Sequence, residues 1–280
     1  MPDTTPGAAV PEGRLAEPVL DVAGLRKEFG DLVAVDGVSF TVPAAGSLAI
    51  VGESGSGKTT IARMIVGLEA PTRGTITVCG HDRSRPTRSA RLRRRRGREV
   101  QIVFQDPYTS LDPRQSAEAA VDEVLRLHHR WPADRRSTRV AELIDLVGLD
   151  ARQARAVPRA LSGGQRQRVA IARALAAEPR ILILDESVSA LDVSIQAQVL
   201  NQLADIRDET GISYVLISHD LAVVRQLTDQ AIVMRRGRVV ERGPTARVLD
   251  DPQHDYTKLL RACVPRPGWR PRRRAATGSA

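Results

Sequence analysis

At 280 residues and 42% hydrophobic content the chain can bury one large domain or two modest ones, and no apolar run is long enough to cross a bilayer. A net charge of +9 and a pI near 10.6 suggest an anionic partner, but aromatic residues make up only 3% of the chain. That is too few for a base-stacking platform, so no direct nucleic-acid contact is expected. Cys79 and Cys263 stand far apart and form neither a metal-ligand cluster nor a disulfide framework, which fits a reducing compartment.

The N-terminus has neither a basic start nor an apolar stretch, so it does not read as a secretion signal. Residues 1–17, rich in Pro, Gly, Ala and Thr, read as a disordered tail, with ordered structure expected from Pro18. Short β-type runs follow at 20–25, 38–42 and 47–51.

Residues 52–60 then read GESGSGKTT. Gly52, Gly57, Lys58 and Thr59 fill the fixed positions of the phosphate-binding pattern G-x-x-x-x-G-K-[ST], and Ser54, Gly55, Ser56 and Thr60 complete the loop. An apolar run precedes it and a helical pattern begins near Lys58, which is the strand–loop–helix context the motif needs. Glycines let backbone N–H groups turn inward on a polyphosphate, and the helix start adds a positive dipole end. Lys58 is placed to reach the outer phosphates, and the Thr59 hydroxyl to hold Mg²⁺. The loop is not a dinucleotide fingerprint, because position 60 is Thr and not Gly.

A strand is predicted at 75–78, and a further buried strand at 101–104. Between them lies an arginine run, residues 91–98, which fits a solvated face or a patch that holds anionic lipid headgroups. From about Asp106 the pattern turns helical, with apolar spacing over 116–128 and 137–148. This predicts a helical insertion at about 106–179. His128 and His129 are adjacent, so on a helix they point apart, and both are expected at the surface; Trp131 and Trp269 have no motif around them.

Ser162, Gly163, Gly164 and Gln165 precede a helical run over 166–176. They fit either an ordinary capped helix start or a second anion site built from exposed backbone N–H groups beside a hydroxyl. Residues 181–184, Ile-Leu-Ile-Leu, read as a central strand covered on both faces. Asp185 and Glu186 follow it directly. At the carboxyl end of such a strand, Asp185 can hold Mg²⁺ and Glu186 can orient or deprotonate the attacking water, although an N-cap pair is the plainer alternative. Helix 194–208, strand 213–217, helix 220–227 and strand 231–234 then alternate, which implies a largely parallel sheet with helices on both faces. A C-terminal helical extension is expected at about 246–263, followed by a basic flexible tail at 264–280. No internal repeat is present, and each motif occurs once.

GESGSGKTT, LSGGQ, ILILDE and ISHD, in that order, resemble the ATPase subunit of ABC transporters over roughly residues 18–263. The resemblance implies an α/β fold: a P-loop NTPase core with a mostly parallel sheet, an antiparallel β subdomain and an inserted helical subdomain. It implies ATP and Mg²⁺ as cofactors. Gln105 matches the family's Q-loop glutamine, which contacts Mg²⁺ and the water. Asp192, in Ser-Ala-Leu-Asp, matches the D-loop, and His219 the switch histidine on the γ-phosphate. Phe29 matches the aromatic that stacks on adenine, though a plain core phenylalanine also fits there. In the family two such domains pair head to tail, with ATP held between the phosphate loop of one and the LSGGQ of the other. One copy of each motif therefore implies a second ATPase subunit, identical or related.

Further stretches resemble the dipeptide, oligopeptide and nickel importers: Val-Phe-Gln-Asp-Pro-Tyr at 103–108, Ala-Leu-Asp-Val-Ser at 190–194, and His-Asp-Tyr-Thr at 254–257. The absence of a cysteine cluster near the end is similar to their second, shorter ATPase. This implies two transmembrane permease subunits, an extracytoplasmic solute-binding protein, and a peripheral place on the cytoplasmic face of the membrane. Asp255 replaces the usual Pro of that ending, Ser187-Val188 stand where many relatives have Pro-Thr, and Phe29 lacks the hydroxyl of the commoner Tyr. An exporter of peptides or drugs carries the same motifs, and a soluble ABC-type protein acting on nucleic acid or ribosomes is the third reading. Two ATPase halves or long coiled-coil insertions, common in that last group, are missing here.

Overall fold

The computed structural model describes residues 18–106, 111–188 and 193–263. The expectations for both tails, for Trp269 and for Asp192 lie outside them.

The chain opens with β1 (Leu20–Phe29), β2 (Leu32–Val42) and β3 (Ser47–Val51), followed by helix α1 (Lys58–Val66). Strands β4 (Arg73–Val78) and β5 (His81–Asp82), helix α2 (Ala90–Glu99) and strand β6 (Val100–Val103) come next. A helical stretch contains α3 (Ala117–His128), α4 (Ala133–Leu146), α5 (Ala151–Arg155) and α6 (Gly163–Leu175). The last part alternates: β7 (Ile181–Asp185), α7 (Val193–Thr210), β8 (Ser213–Ser218), α8 (Leu221–Leu227), β9 (Gln230–Arg235), β10 (Arg238–Pro244), α9 (Thr245–Asp250) and α10 (Asp255–Cys263).

The larger sheet has the order β10-β9-β3-β8-β7-β6, with every pairing parallel except β10 on β9. Every residue of β3, β7 and β8 is buried, as continuous apolar runs require when helices and a second sheet cover both faces. Alternate side chains feed two cores. Ile50, Ile183, Val215 and Ile217 join the cluster shared with α1 and the smaller sheet. Ala49, Leu182, Leu184 and Leu216 join the cluster under α3, α4 and α6–α8. The smaller sheet is antiparallel, in the order β2-β1-β4-β5. Asp36 of β2 ties it to the larger sheet, accepting from Arg26 and, at 2.8 Å, from Arg238 Nε. The fold is therefore α/β with a mostly parallel sheet, an antiparallel sheet and inserted helices.

One detail adds to the sequence expectation and two differ from it. The arginine run is an ordered helix, α2, whose start is capped by the Ser89 side chain, because arginine is a good helix former once a cap is present. Helix α4 begins at Ala133 rather than 137, directly after Pro132. His129 is not a surface residue. Helix α3 ends at His128, so His129 turns back into the protein, 8% exposed, with Nε2 3.1 Å from the Ala176 carbonyl and its ring stacked on Trp131 at 4.1 Å. Adjacent residues both face solvent only while a surface helix continues, and here the helix ends between the two histidines.

Candidate nucleotide site

The phosphate loop leaves the carboxyl end of β3, the strand flanked by β8 and β9. Gly57 has φ +100°, and a Cβ there would run into the Ala34 carbonyl oxygen. Only glycine combines that conformation with that close approach. Gly57 stands at the N-cap of α1 with no side-chain cap, in contrast to the capped starts of α3, α5, α6 and α8. The first N–H groups of α1 are thus left open to the loop, the arrangement that favours an anion.

Inside the loop Ser56 is 2% exposed and its Oγ has no hydrogen-bond partner. A buried hydroxyl without a partner is costly unless something else accepts from it. Lys58, 5% exposed, folds over the loop and donates to the Gly52 and Glu53 carbonyls, both at 2.8 Å. Burial lowers its pKa, opposed by the nearby Glu186, Asp185 and Glu53 carboxylates. An ammonium held this way has only exchangeable carbonyl partners and gains most from an incoming polyphosphate. Ser54 and Gly55 lie exposed on the loop's outer side, and Thr60 is partly buried in the first turn of α1.

Parallel pairing of β3, β8, β7 and β6 brings the remaining groups to the same edge. The Thr59 hydroxyl donates to Asp185 Oδ1 at 3.2 Å, across 126 residues of sequence. Burial raises the Asp185 pKa, and the Thr59 hydrogen bond works against that. Two hard oxygen donors beside a phosphate cradle suit Mg²⁺. Glu186 has φ +48°, and its N–H donates to the Ile217 carbonyl at 2.9 Å. His219 Nδ1 lies 3.5 Å from Glu186 Oε1, on an exposed imidazole just past β8. The Asp220 carboxylate caps α8 and its N–H donates to Ser218 Oγ, which fixes the turn under His219. Gln105 is exposed two residues past the end of β6, whose Val103 pairs with Leu184 next to Asp185.

Phe29 is not a core residue. Its ring is 45% exposed at the β1–β2 turn, with Lys27 Nζ 4.7 Å from the centroid, and β2 supplies the Ala34 backbone that abuts Gly57.

Ser162 caps α6. Its Oγ accepts from Gln165 N at 3.3 Å, and its own N–H donates to Gln165 Oε1 at 2.8 Å. Ser162 and Gly163 are exposed, whereas Gly164 packs on α7, a built Cβ falling 2.6 Å from Ile195 Cγ2. Among the described residues no hydrogen bond or ion pair joins this turn to the 52–60 loop.

One contact escaped the sequence reading. Tyr256 of α10 is 5% exposed, and its hydroxyl accepts from Glu53 N at 3.1 Å. His254 Nδ1 accepts from the Tyr256 N–H at 3.1 Å, and Arg235 lies over the ring at 4.9 Å. The His-Asp-Tyr-Thr ending thus props the phosphate loop from 203 residues away.

Fold and loop together define a P-loop nucleotide-binding protein. The family model described as ABC transporter matches residues 35–189. The dipeptide transport ATP-binding protein DppF of Haemophilus influenzae is 42% identical over 259 residues, covering 89% of this chain and 79% of that protein. A putative peptide import ATP-binding protein of Brucella abortus is 47% identical over 245 residues, covering 87% and 73%. Among solved structures, the ATP-binding cassette MJ0796, a dimer in a post-hydrolysis state bound to ADP and Pi, matches with a TM-score of 0.74 and 29% identity, over 81% of this chain and 98% of that one. The chain belongs to the ABC transporter family, and as such it is an ATP-binding, ATP-hydrolysing subunit. No helix among the described residues is long and apolar enough to cross a membrane.

Proposed function

We propose that this chain powers the transport of peptides or similar small solutes, most simply their import, from the cytoplasmic face of the membrane. Its partners would be a second ATPase subunit, two permease subunits and an extracytoplasmic solute-binding protein. The peptide assignment is supported by relatives at 42% and 47% identity over most of the chain. The observation that carries the chemistry is the meeting of Lys58, Thr59, Asp185 and Glu186 at the open start of α1.

In this reading the loop N–H groups, Ser56 and Lys58 hold the β- and γ-phosphates, and Phe29 offers a face for adenine. Thr59, Asp185 and Gln105 hold Mg²⁺, which when bound neutralises phosphate charge. Glu186 takes a proton from the attacking water, and His219 contacts the γ-phosphate end. The turn of Ser162 to Gln165 and the loop with Asp192 act on ATP bound to a partner. Residues 18–263 form the working unit, with 106–179 as the helical part that reaches the permease. Closure on ATP and reopening after hydrolysis would switch that permease between two states.

Co-purification from gently solubilised membranes tests the assignment. Recovery of permeases, a second ATPase and a solute-binding protein is expected. Permeases without a binding protein would favour export. Recovery only from the soluble fraction, with nucleic acid or ribosomes, would overturn the transport reading and leave the ATPase chemistry standing.

A further inference from the structure

Helix α2 and the α3–α4 junction border an open cleft of about 580 Å³. It opens at the amino end of β6, whereas the nucleotide groups gather at the carboxyl ends of the strands, so the two sites are separate. One wall is Arg91, Arg94, Arg95 and Arg98, all exposed and spaced as a single helix face. Arg130 adds a fifth guanidinium from the junction.

Counter-charge inside the protein is incomplete. Arg95 pairs with Glu99 at 3.1 Å and Arg98 with Glu178 at 3.3 Å. Glu99 is also engaged by Arg83. Arg91, Arg94 and Arg130 have no ion pair among the described residues. Like charges stacked on one helix face are unfavourable, and they remain together at least cost when an anion sits among them.

The cleft has a firm floor. His129 is held by the Ala176 carbonyl and stacked on Trp131, whose ring also carries Arg135 at 4.2 Å. His128 lines the cleft beside Gly97, and its Nδ1 is buried without a hydrogen-bond partner. The volume suits a ligand of one or a few phosphoryl groups, within the ordinary range of small-molecule sites.

We propose that this cleft is a phosphoryl-anion site distinct from the nucleotide site, and that its occupant bridges α2 to the α6–β7 turn. The consequence follows from connectivity. Helix α2 runs directly into β6, which ends two residues before Gln105. Ala176 and Glu178 follow α6, whose first turn is Ser162 to Gln165. An anion held here would fix the far ends of both elements. None of this depends on the transported solute.

The test is calorimetric titration with tripolyphosphate on the wild type, on Lys58→Ala, and on Arg91→Gln/Arg94→Gln. The wild type should show two sites. Lys58→Ala should keep the cleft site. The double variant should bind there at least ~10-fold more weakly, as expected from losing charge-assisted bonds, with ATP affinity unchanged. Arg130→Gln, outside any helix, should show the same direction of change if the α2 variant folds poorly.

A second readout is the His128 imidazole. Burial and then Arg94, His129 and Arg98 push its pKa down to about 4. It is faced by the arginines of α2, by Arg130 and His129, and by Glu178 as the one carboxylate lining the cleft. A bound anion should raise that pKa, seen as a shift in its ring-proton titration by NMR. Vesicles of anionic phospholipid against phosphatidylcholine alone separate the sources. Arginine-dependent capture by anionic vesicles without tripolyphosphate binding assigns a lipid headgroup, and tripolyphosphate binding assigns a free phosphate. Wild type and variants that behave alike towards both ligands would overturn the proposal.

Discussion

Glu186 is held at φ +48°, a region that costs a non-glycine residue roughly 1–3 kcal/mol and persists only where the surroundings enforce it. Here the enforcement is the N–H bond to the Ile217 carbonyl and the neighbouring buried Asp185. The strain aims the carboxylate towards His219 and the loop rather than along the strand. Glu186→Gln keeps the shape and removes the carboxylate proposed as the base. We expect it to bind ATP and to hydrolyse it at least ~100-fold more slowly, measured by nucleotide titration and single-turnover release of phosphate. Near-normal turnover would remove Glu186 from the role of base. The place of Asp185-Glu186 at the end of a buried strand was legible from the apolar run before it. The left-handed backbone was not, since glutamate has no propensity that announces it.

At the scale of elements, the phosphate loop depends on a helix from the other end of the chain. Tyr256→Phe leaves the packing of α10 intact and strands the Glu53 N–H. Losing one such bond costs about 0.5–1.5 kcal/mol, so nucleotide affinity should fall roughly two- to tenfold while the fold persists. Titration with a fluorescent ATP analogue, beside a thermal melt, checks this; unchanged affinity would make α10 mere packing. The strands of the larger sheet were legible because burial on both faces demands unbroken apolar runs, as in β3 and β7. The loop was legible because few residue patterns can wrap a phosphate. The Tyr256 contact was not, because its spacing to Glu53 is set by tertiary folding alone. Helix α2 was hidden by its charge: an all-arginine face carries no apolar period to read. His129 was misjudged for want of the helix end at His128.

At the scale of the molecule, the nucleotide groups and the Ser162 turn share no hydrogen bond or ion pair among the described residues. Loop, Asp185, Glu186 and His219 gather at one edge, while Ser162 and Gly163 stand exposed at the tip of α6. If that tip serves a second copy or a relative, Ser162→Arg should abolish hydrolysis while ATP binding to the single chain stays unchanged. Wild-type specific activity should rise with protein concentration. Full turnover by the Ser162→Arg variant, or by a strictly monomeric wild type, would sink the paired arrangement. The lost cap is worth about 1 kcal/mol, so a melting control separates instability from lost pairing.

The close packing of Gly164 on Ile195 bears on how this family of sequences can change. A methyl group at 164 would meet Ile195 Cγ2 at 2.6 Å, and a β-branched side chain has little rotameric freedom to yield. The two positions are 31 apart in sequence yet constrain each other as if they were neighbours. A side chain at 164 would require the Ile195 Cγ2 methyl to move or be lost, which couples the opening turn of α7 to the glycine pair at the tip of α6.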